Sequence, residues 1–231
     1  MPLPTEEKSY ERTSAKQMVY DKMKDWIIEG RLEAGEKVAD AEIAAHFKVS
    51  RTPVREAIQL LEMQKLVRSY PGKATIVTEI QKDQIEKYYL PMANLQQLAV
   101  TMAVDKINPE HIKRLRELSE QFRRLITVQD EPLPILKADM DFHSYILDIA
   151  DNEYVKDFCN VLWIHIQRLE YSYFRDSPSL KQSVEEHEDM IRALEFKDGF
   201  SASLRMKQHW DRTVLEIHSL EAREGMENQE A

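Results

Sequence analysis

Two groups of residues in this chain carry types and spacings that could do chemistry. The first follows Ser50 in the stretch Val49-Ser50-Arg51-Thr52-Pro53-Val54-Arg55-Glu56. Arginine can grip guanine O6 and N7 in bidentate fashion, and threonine can reach a phosphate or a thymine methyl. The second group is Asp139, His143, His187 and His209. Imidazoles with a single carboxylate suit a divalent transition metal such as Zn, Ni or Mn better than calcium. Taken singly, each of these histidines reads more readily as a satisfied core or boundary residue.

A helix must present the first group. Ser50 stands at an N-cap position and can satisfy an orphan amide with its hydroxyl. Pro53 falls in the first turn, where its missing N–H matters little. Val54, Ala57, Ile58 and Leu61 repeat at helical spacing, so one face is apolar. Arg51, Thr52 and Arg55 lie off that face at the leading end, and the helix is expected to run to about Val67. Upstream, Met18, Val19, Met23, Trp26 and Ile27 mark a first helix closed by Gly30. Asp40 is expected to cap a second helix carrying Ile43, Ala44 and Phe47. Downstream, Arg68-Ser69-Tyr70 and Ala74-Thr75-Ile76-Val77 read as two short strands around the turn Pro71-Gly72. Helix, helix–turn–helix and two-stranded wing make a winged helix–turn–helix. Gly72, without a Cβ, permits close backbone approach to nucleic acid, and Lys73 can meet phosphate.

Helices must also position the second group. Past residue 83 there is no second strand pattern and no internal repeat. Residues 84–106 form a long apolar helix that Pro91 is expected to kink or break. Asn108-Pro109-Glu110 starts the next. Gln129 to Pro134 reads as a loop, followed by a helix over 135–150. Asn152 caps a helix to about Arg175, Pro178 opens one to about Phe196, and a last one covers about 200–222. Asp139 and His143 are four apart and share a face bordering Ile135, Phe142, Ile146 and Ile149. His187 interrupts the stripe Leu180, Val184, Ile191, Leu194, and His209 stands between Met206 and Thr213. All four therefore sit on core-facing positions of three helices, where they could converge on one ion.

The expected architecture is mainly α: a winged helix–turn–helix over 14–80 and an all-α bundle over 84–222. A loose arm precedes it over 1–13 and a polar tail follows over 223–231. The net charge of −9 is confined to the second part. Residues 1–80 hold 13 Lys and Arg against 13 Asp and Glu, and residues 81–231 hold 19 against 28. Nonspecific attraction to DNA should then be modest, and binding must rest on the placement of a few cations. The single cysteine, Cys159, excludes an intrachain disulfide and fits a reducing compartment. No run approaches a membrane span and the N-terminus lacks signal-peptide character, so a cytoplasmic location is expected.

The motifs Gly35-Glu36-Lys37-Val38, Glu42-Ile43-Ala44, Val49 to Ala57, Leu61-Glu62 and Gly72-Lys73 before Val77 resemble the DNA-binding domain of the GntR family of bacterial transcription regulators. The resemblance implies operator contacts at Ser50, Arg51, Thr52 and Arg55, with the wing-tip Gly72 near the minor groove. Asp139-Met140-Asp141-Phe142-His143, Asn152, His187 with Ala193-Leu194, and His209 resemble the FCD domain that follows the winged helix in the FadR subfamily. It implies that Asp139, His143, His187 and His209 hold a divalent metal and that a small organic acid, often a carboxylate, binds over it. One departure stands out. Where the family carries an Arg and, four residues later, a Glu, this chain has Met92 and Gln96. Arg168 is a candidate substitute, and Tyr88, Tyr89, Tyr171 and Tyr173 could supply hydroxyls to the pocket.

The function expected is a ligand-responsive repressor binding a pseudo-palindromic operator as a homodimer. Two other functions compete. A metal site with an open position resembles a hydrolase, though only Glu185, Glu186 and Glu188 lie near His187 as bases, and no HExxH, GxSxG or P-loop motif is present. In the other, the bundle serves dimerisation alone and its histidines are incidental.

Overall fold

The computed structural model describes residues 15–70, 74–79, 85–128, 131–173 and 179–230. The chain divides into two compact units, Met1–Glu79 and Ile80–Ala231.

In the first unit, α1 (Ala15–Ile28) buries Val19, Tyr20, Met23, Ile27 and Ile28 and packs on α3 (Arg51–Met63). Between them lie β1 (Lys37–Val38) and α2 (Asp40–Phe47). Trp26 of α1 stacks on Phe47, with ring centroids 5.3 Å apart. The wing is β2 (Val67–Ser69) and β3 (Thr75–Val77), paired antiparallel. It has a third strand: β1 pairs with β3, placing Val38 opposite Thr75. The sheet order is β1-β3-β2. The wing-tip residues Gly72 and Lys73 lie outside the described residues.

Three local expectations change. The reading helix ends at Met63 and not near Val67. Lys65 adopts a left-handed φ of 60°, and Leu66 N–H bonds back to Leu61 O at 2.9 Å. That turn buries Leu66 completely, so closing the hydrophobic end outweighs the strain of a non-glycine in the left-handed region. Ser50 has the extended backbone of an N-cap but no side-chain capping bond. Asp40 does not cap α2. Ala39 takes that position, and Asp40 is the helix's first residue.

The second unit is a helical bundle. It comprises α4 (Ile85–Ala103), a 3-10 turn over Val104–Lys106, α5 (Pro109–Val128), α6 (Pro132–Ala150), α7 (Glu153–Tyr173), α8 (Ser179–Glu195) and α9 (Gly199–Glu230). α4 packs against α9, α6 and α7, and α8 bridges α5 and α9. The starts follow side-chain capping: Asn108 Oδ1 accepts from His111 N–H at 2.9 Å, Asn152 Oδ1 from Val155 N–H at 3.2 Å, and Asp198 Oδ1 from Ser201 N–H at 3.0 Å. Pro91 does not break α4, which runs through it. The burial of Tyr89, Met92, Ala93 and Gln96 on one face holds the helix together where propensity alone would end it. α6 starts at Pro132, three residues before expectation, because proline suits a first helical position. α9 continues to Glu230.

Candidate metal centre and nucleic-acid interface

In the first unit, Ser50, Arg51, Thr52 and Arg55 are all exposed at the leading end of α3, while Val54, Ala57, Ile58 and Leu61 are buried behind them. The anchored face fixes the axis of α3, and the exposed end carries the groove-reading chemistry. Both arginines share one partner. Arg51 Nη2 donates to Asp40 Oδ1 and Arg55 Nε donates to Asp40 Oδ2, each at 2.6 Å. Hydrogen bonds from the two guanidinium groups hold the Asp40 carboxyl below its ordinary range.

In the second unit, Asp139, His143, His187 and His209 converge, each offering one ligand atom with all of them within 4.8 Å of one another. α6 supplies Asp139 and His143 from one face, α8 supplies His187 and α9 supplies His209. His143 Nε2 and His187 Nε2 approach to 3.4 Å, and His187 Nε2 lies 3.4 Å from Asp139 Oδ1. Two nitrogens about 2.1 Å from one tetrahedral ion stand about 3.4 Å apart. His143 and His187 are fully buried. Phe142 stacks on His187 at 3.9 Å, and Trp210 and Trp163 flank His143 at 5.1 and 5.8 Å. Burial in these aromatic walls pushes both imidazoles well below their ordinary pKa, and neighbouring imidazoles add to it, His209 for His143 and first His143 for His187. They are kept neutral, the form that ligates a cation.

The carboxylate has an orphaned oxygen. Asp139 Oδ1 is buried without a hydrogen-bond partner, and burial raises its carboxyl to about 6. Its side chain retains 19% exposure, so the centre reaches solvent on that side. The donor set and the orphaned oxygen fit a divalent transition metal.

The third histidine is held from outside. His209 Nδ1 lies 2.7 Å from Glu186 Oε2, leaving Nε2 for the centre. Arg212 grips the same carboxylate through Nε at 2.6 Å and Nη2 at 3.0 Å, and Nη2 also donates to Ser183 Oγ at 2.8 Å. Burial acts to raise the Glu186 carboxyl, but hydrogen bonds from His209 and Arg212 outweigh it and leave the group below its ordinary value. Sequence reading noted Glu186 only as a possible base. Glu170, which it missed, accepts from Tyr89 Oη at 3.0 Å. Burial, then the nearby Asp139, raise it to about 8.

A pit of about 20 Å³ beside the centre is lined by Asp139, Glu170, Ser183, His209, Arg212 and Thr213, with Leu136 and Leu180 at its apolar edge. That volume holds about one water. Of the candidate effector residues, Tyr89 reaches this region through Glu170. Met92 and Arg168 do not line the pit. Met92 is fully enclosed in the apolar core. Arg168 is buried elsewhere on α7; burial lowers its guanidinium to about 10, partly offset by Tyr88. Tyr88 stacks on His165 at 4.9 Å. The sequence signal that could have separated Glu170 from Arg168 is position: Trp163, Ile166 and Glu170 share one face of α7, and Arg168 lies off it.

Each of the two units matches a known family model. The family model of the FCD domain matches residues 91–212. That of the bacterial regulatory proteins of the gntR family matches residues 15–77. The uncharacterized HTH-type transcriptional regulator YdhC of Bacillus subtilis is 26% identical over 212 residues, 90% of this chain and 93% of that protein. The HTH-type transcriptional repressor RspR of Escherichia coli is 24% identical over 194 residues, 84% of each chain. The solved structure of E. coli McbR/YncC superposes with a TM-score of 0.78 at 20% identity, covering 90% of this chain and 99% of that one.

Proposed function

The chain belongs to the GntR family of bacterial regulators, in the group whose second domain is an FCD domain, and from that premise we propose that it is a metal-dependent, ligand-responsive operator switch. Members are DNA-binding transcription regulators, often repressors, and not enzymes. No described helix is long and apolar enough to cross a membrane.

In this reading residues 14–80 form the DNA-binding domain and 84–222 the effector-binding and dimerisation domain. Arg51, Thr52 and Arg55 read base edges in the major groove, Ser50 and Lys73 meet phosphate, and Gly72 approaches the minor groove. The observation that carries it is the exposure of Arg51, Thr52 and Arg55 on a helix whose opposite face is buried.

Asp139, His143, His187 and His209 hold the ion, a Zn, Ni or Mn(II) centre by the chemistry of the donors. A bound ion would neutralise Asp139 and present a Lewis-acid position to an oxygen of a small organic acid such as a carboxylate. The pit is far smaller than the several hundred cubic ångströms of ordinary small-molecule sites. Entry of an effector must therefore displace side chains of α6, α8 or α9. That displacement is the differential interaction an effector needs to shift a two-state equilibrium. A disfavoured operator-competent state at ~3 kcal/mol weakens binding about a hundredfold.

A homodimer puts two reading helices on a pseudo-palindromic operator. An apolar exposed stripe supports the association. Leu90 and Leu98 on α4, with Tyr154, Phe158 and Val161 on α7, are all at least 46% exposed, and the two helices are neighbours. Such a surface is unfavourable in water and suits a second copy.

The deciding experiment is footprinting on a duplex enriched by the wild-type protein from a random pool. Arg51→Ala and Arg55→Ala should each lose the footprint while retaining dimer and metal content. Unchanged footprints in both would reject the assignment.

A further inference from the structure

The two arginines at the head of α3 are not independent. One carboxylate takes both, one oxygen each, at 2.6 Å. We propose that Asp40 is a positioning residue for Arg51 and Arg55, which directs their guanidinium groups to base edges and away from phosphates. The proposal rests on α3 being the reading helix.

The hydrogen-bond pattern supports it. Arg55 is held through Nε, which fixes the plane of the guanidinium and leaves its Nη1–Nη2 edge free of any described acceptor. That edge has the two parallel donors that match guanine O6 and N7. Arg51 is held through Nη2, so its reach is limited in the same way. Both remain open to solvent, with side-chain exposures of 55% for Arg51 and 62% for Arg55. They are tethered but accessible.

Asp40 can hold them because its own backbone is fixed. It is the first residue of α2, directly after the β1 residue Val38, which pairs with Thr75 of the wing, and Ala39. Unheld, two exposed arginines would sample many rotamers and meet phosphates, which every sequence presents equally. Held, they lose less freedom on docking. The carboxylate adds a second effect. It repels a phosphate brought to the same arginines, whereas the neutral guanine edge suffers far less. Discrimination then arises partly from a penalty on the wrong contact.

A purely structural role is the competing reading, and the exposure of the pair argues against it. Ion pairs this open to solvent contribute little to stability. Asp40→Asn keeps the shape and removes the charge, so its fold should survive.

The test compares the full-length protein with Asp40→Asn and Asp40→Ser on two probes: the duplex enriched by wild type, and mixed-sequence DNA of equal length. In both variants the ratio of the two affinities should fall about tenfold or more. Binding to mixed-sequence DNA should strengthen, with a salt slope steeper by about one to two charges. Repeating the enrichment with Asp40→Asn should relax the same base positions that Arg51→Ala and Arg55→Ala relax. An unchanged ratio, relaxation at other positions, or unfolding of both Asp40 variants would overturn the proposal. If instead Arg51→Ala and Arg55→Ala leave binding to the enriched duplex intact, the assignment of α3 itself has failed, and that result is separate from any Asp40 measurement.

Discussion

His209 turns its Nδ1 onto Glu186, 2.7 Å from Oε2, and Glu186 is the residue directly before the inward-facing His187. Adjacent residues on a helix point about 100° apart. So α8 sends His187 into the bundle and Glu186 across to α9 in consecutive positions. Arg212, three residues after His209 on α9, closes the arrangement by gripping the same carboxylate. A carboxylate on the outer nitrogen of a histidine fixes its tautomer and strengthens it as a ligand.

Glu186→Gln should therefore weaken metal binding without changing its stoichiometry. The amide can still accept from His209 Nδ1 but brings no charge. The expected loss is about tenfold to a hundredfold in affinity, read by competition with a chelator of known strength. An unchanged affinity would reduce Glu186 to a partner of Arg212 alone.

Metal removal should expose an opposing pH dependence. Glu170 is raised to about 8 in the folded chain by burial. A raised group contributes stability that is full below its unfolded value, near 4.5, and is lost as pH rises through the folded value. The depressed imidazoles of His143 and His187 act the other way, their contribution full above about 6.5 and lost as pH falls. Between about pH 6.5 and 8 the histidines are silent and Glu170 dominates. Metal-free protein should lose stability across that window, by at most about 2 kcal/mol for one group. Urea denaturation at the two ends should show the loss in wild type and a flatter profile in Glu170→Gln. Metal-bound protein should show a weaker trend, since a cation near Glu170 favours its charged form and metal binding itself tightens as the ligands deprotonate.

The exposed stripe on α4 and α7 gives a prediction about assembly. Phe158 is 61% exposed, so Phe158→Asp should leave the fold and metal content intact. It should convert a dimer to monomer at micromolar concentration, seen by sedimentation, and weaken operator binding by more than tenfold, because two half-sites must then be bound separately. A dimer that survives this substitution would place the contact on another face.

Much of this was legible in the sequence where the controlling interaction is local. Asn108, Asn152 and Asp198 mark helix starts because each cap is made within three residues. Helical periodicity alone put Asp139, His143, His187 and His209 on inward faces. Contacts set by packing between distant elements were not legible. Glu185, Glu186 and Glu188 look alike beside His187, and only the approach of α9 selects Glu186. The strand β1 has two residues, and nothing but its pairing with β3 defines it. The end of α3 was misjudged because a lysine does the work expected of glycine: Lys65 adopts a left-handed φ, as Lys48 and Lys197 do after α2 and α8. Each precedes a residue whose N–H bonds five residues back. Arg168 drew notice by its charge, but its place on α7, off the face shared by Trp163, Ile166 and Glu170, leaves it buried away from the pit beside Asp139.

Gln96 offers the last test, and it bears on the departure at Met92. Both residues are fully enclosed on the inner face of α4. Met92 is apolar and at home there. Gln96 has neither its amide nitrogen nor its amide oxygen hydrogen-bonded among the described residues. An unmade pair of hydrogen bonds in a core costs about 1–3 kcal/mol per group. Gln96→Met has similar length and no polar atoms, so it should stabilise the free protein by about 1–2 kcal/mol, measured by urea denaturation. Metal content should not change, because Gln96 is not among the four ligand residues. Destabilisation by this substitution would mean that Gln96 has a partner in solution, such as an enclosed water. Stabilisation would mean that its polarity is retained against the interest of the fold, as expected of a group that meets its partner only when an effector is bound.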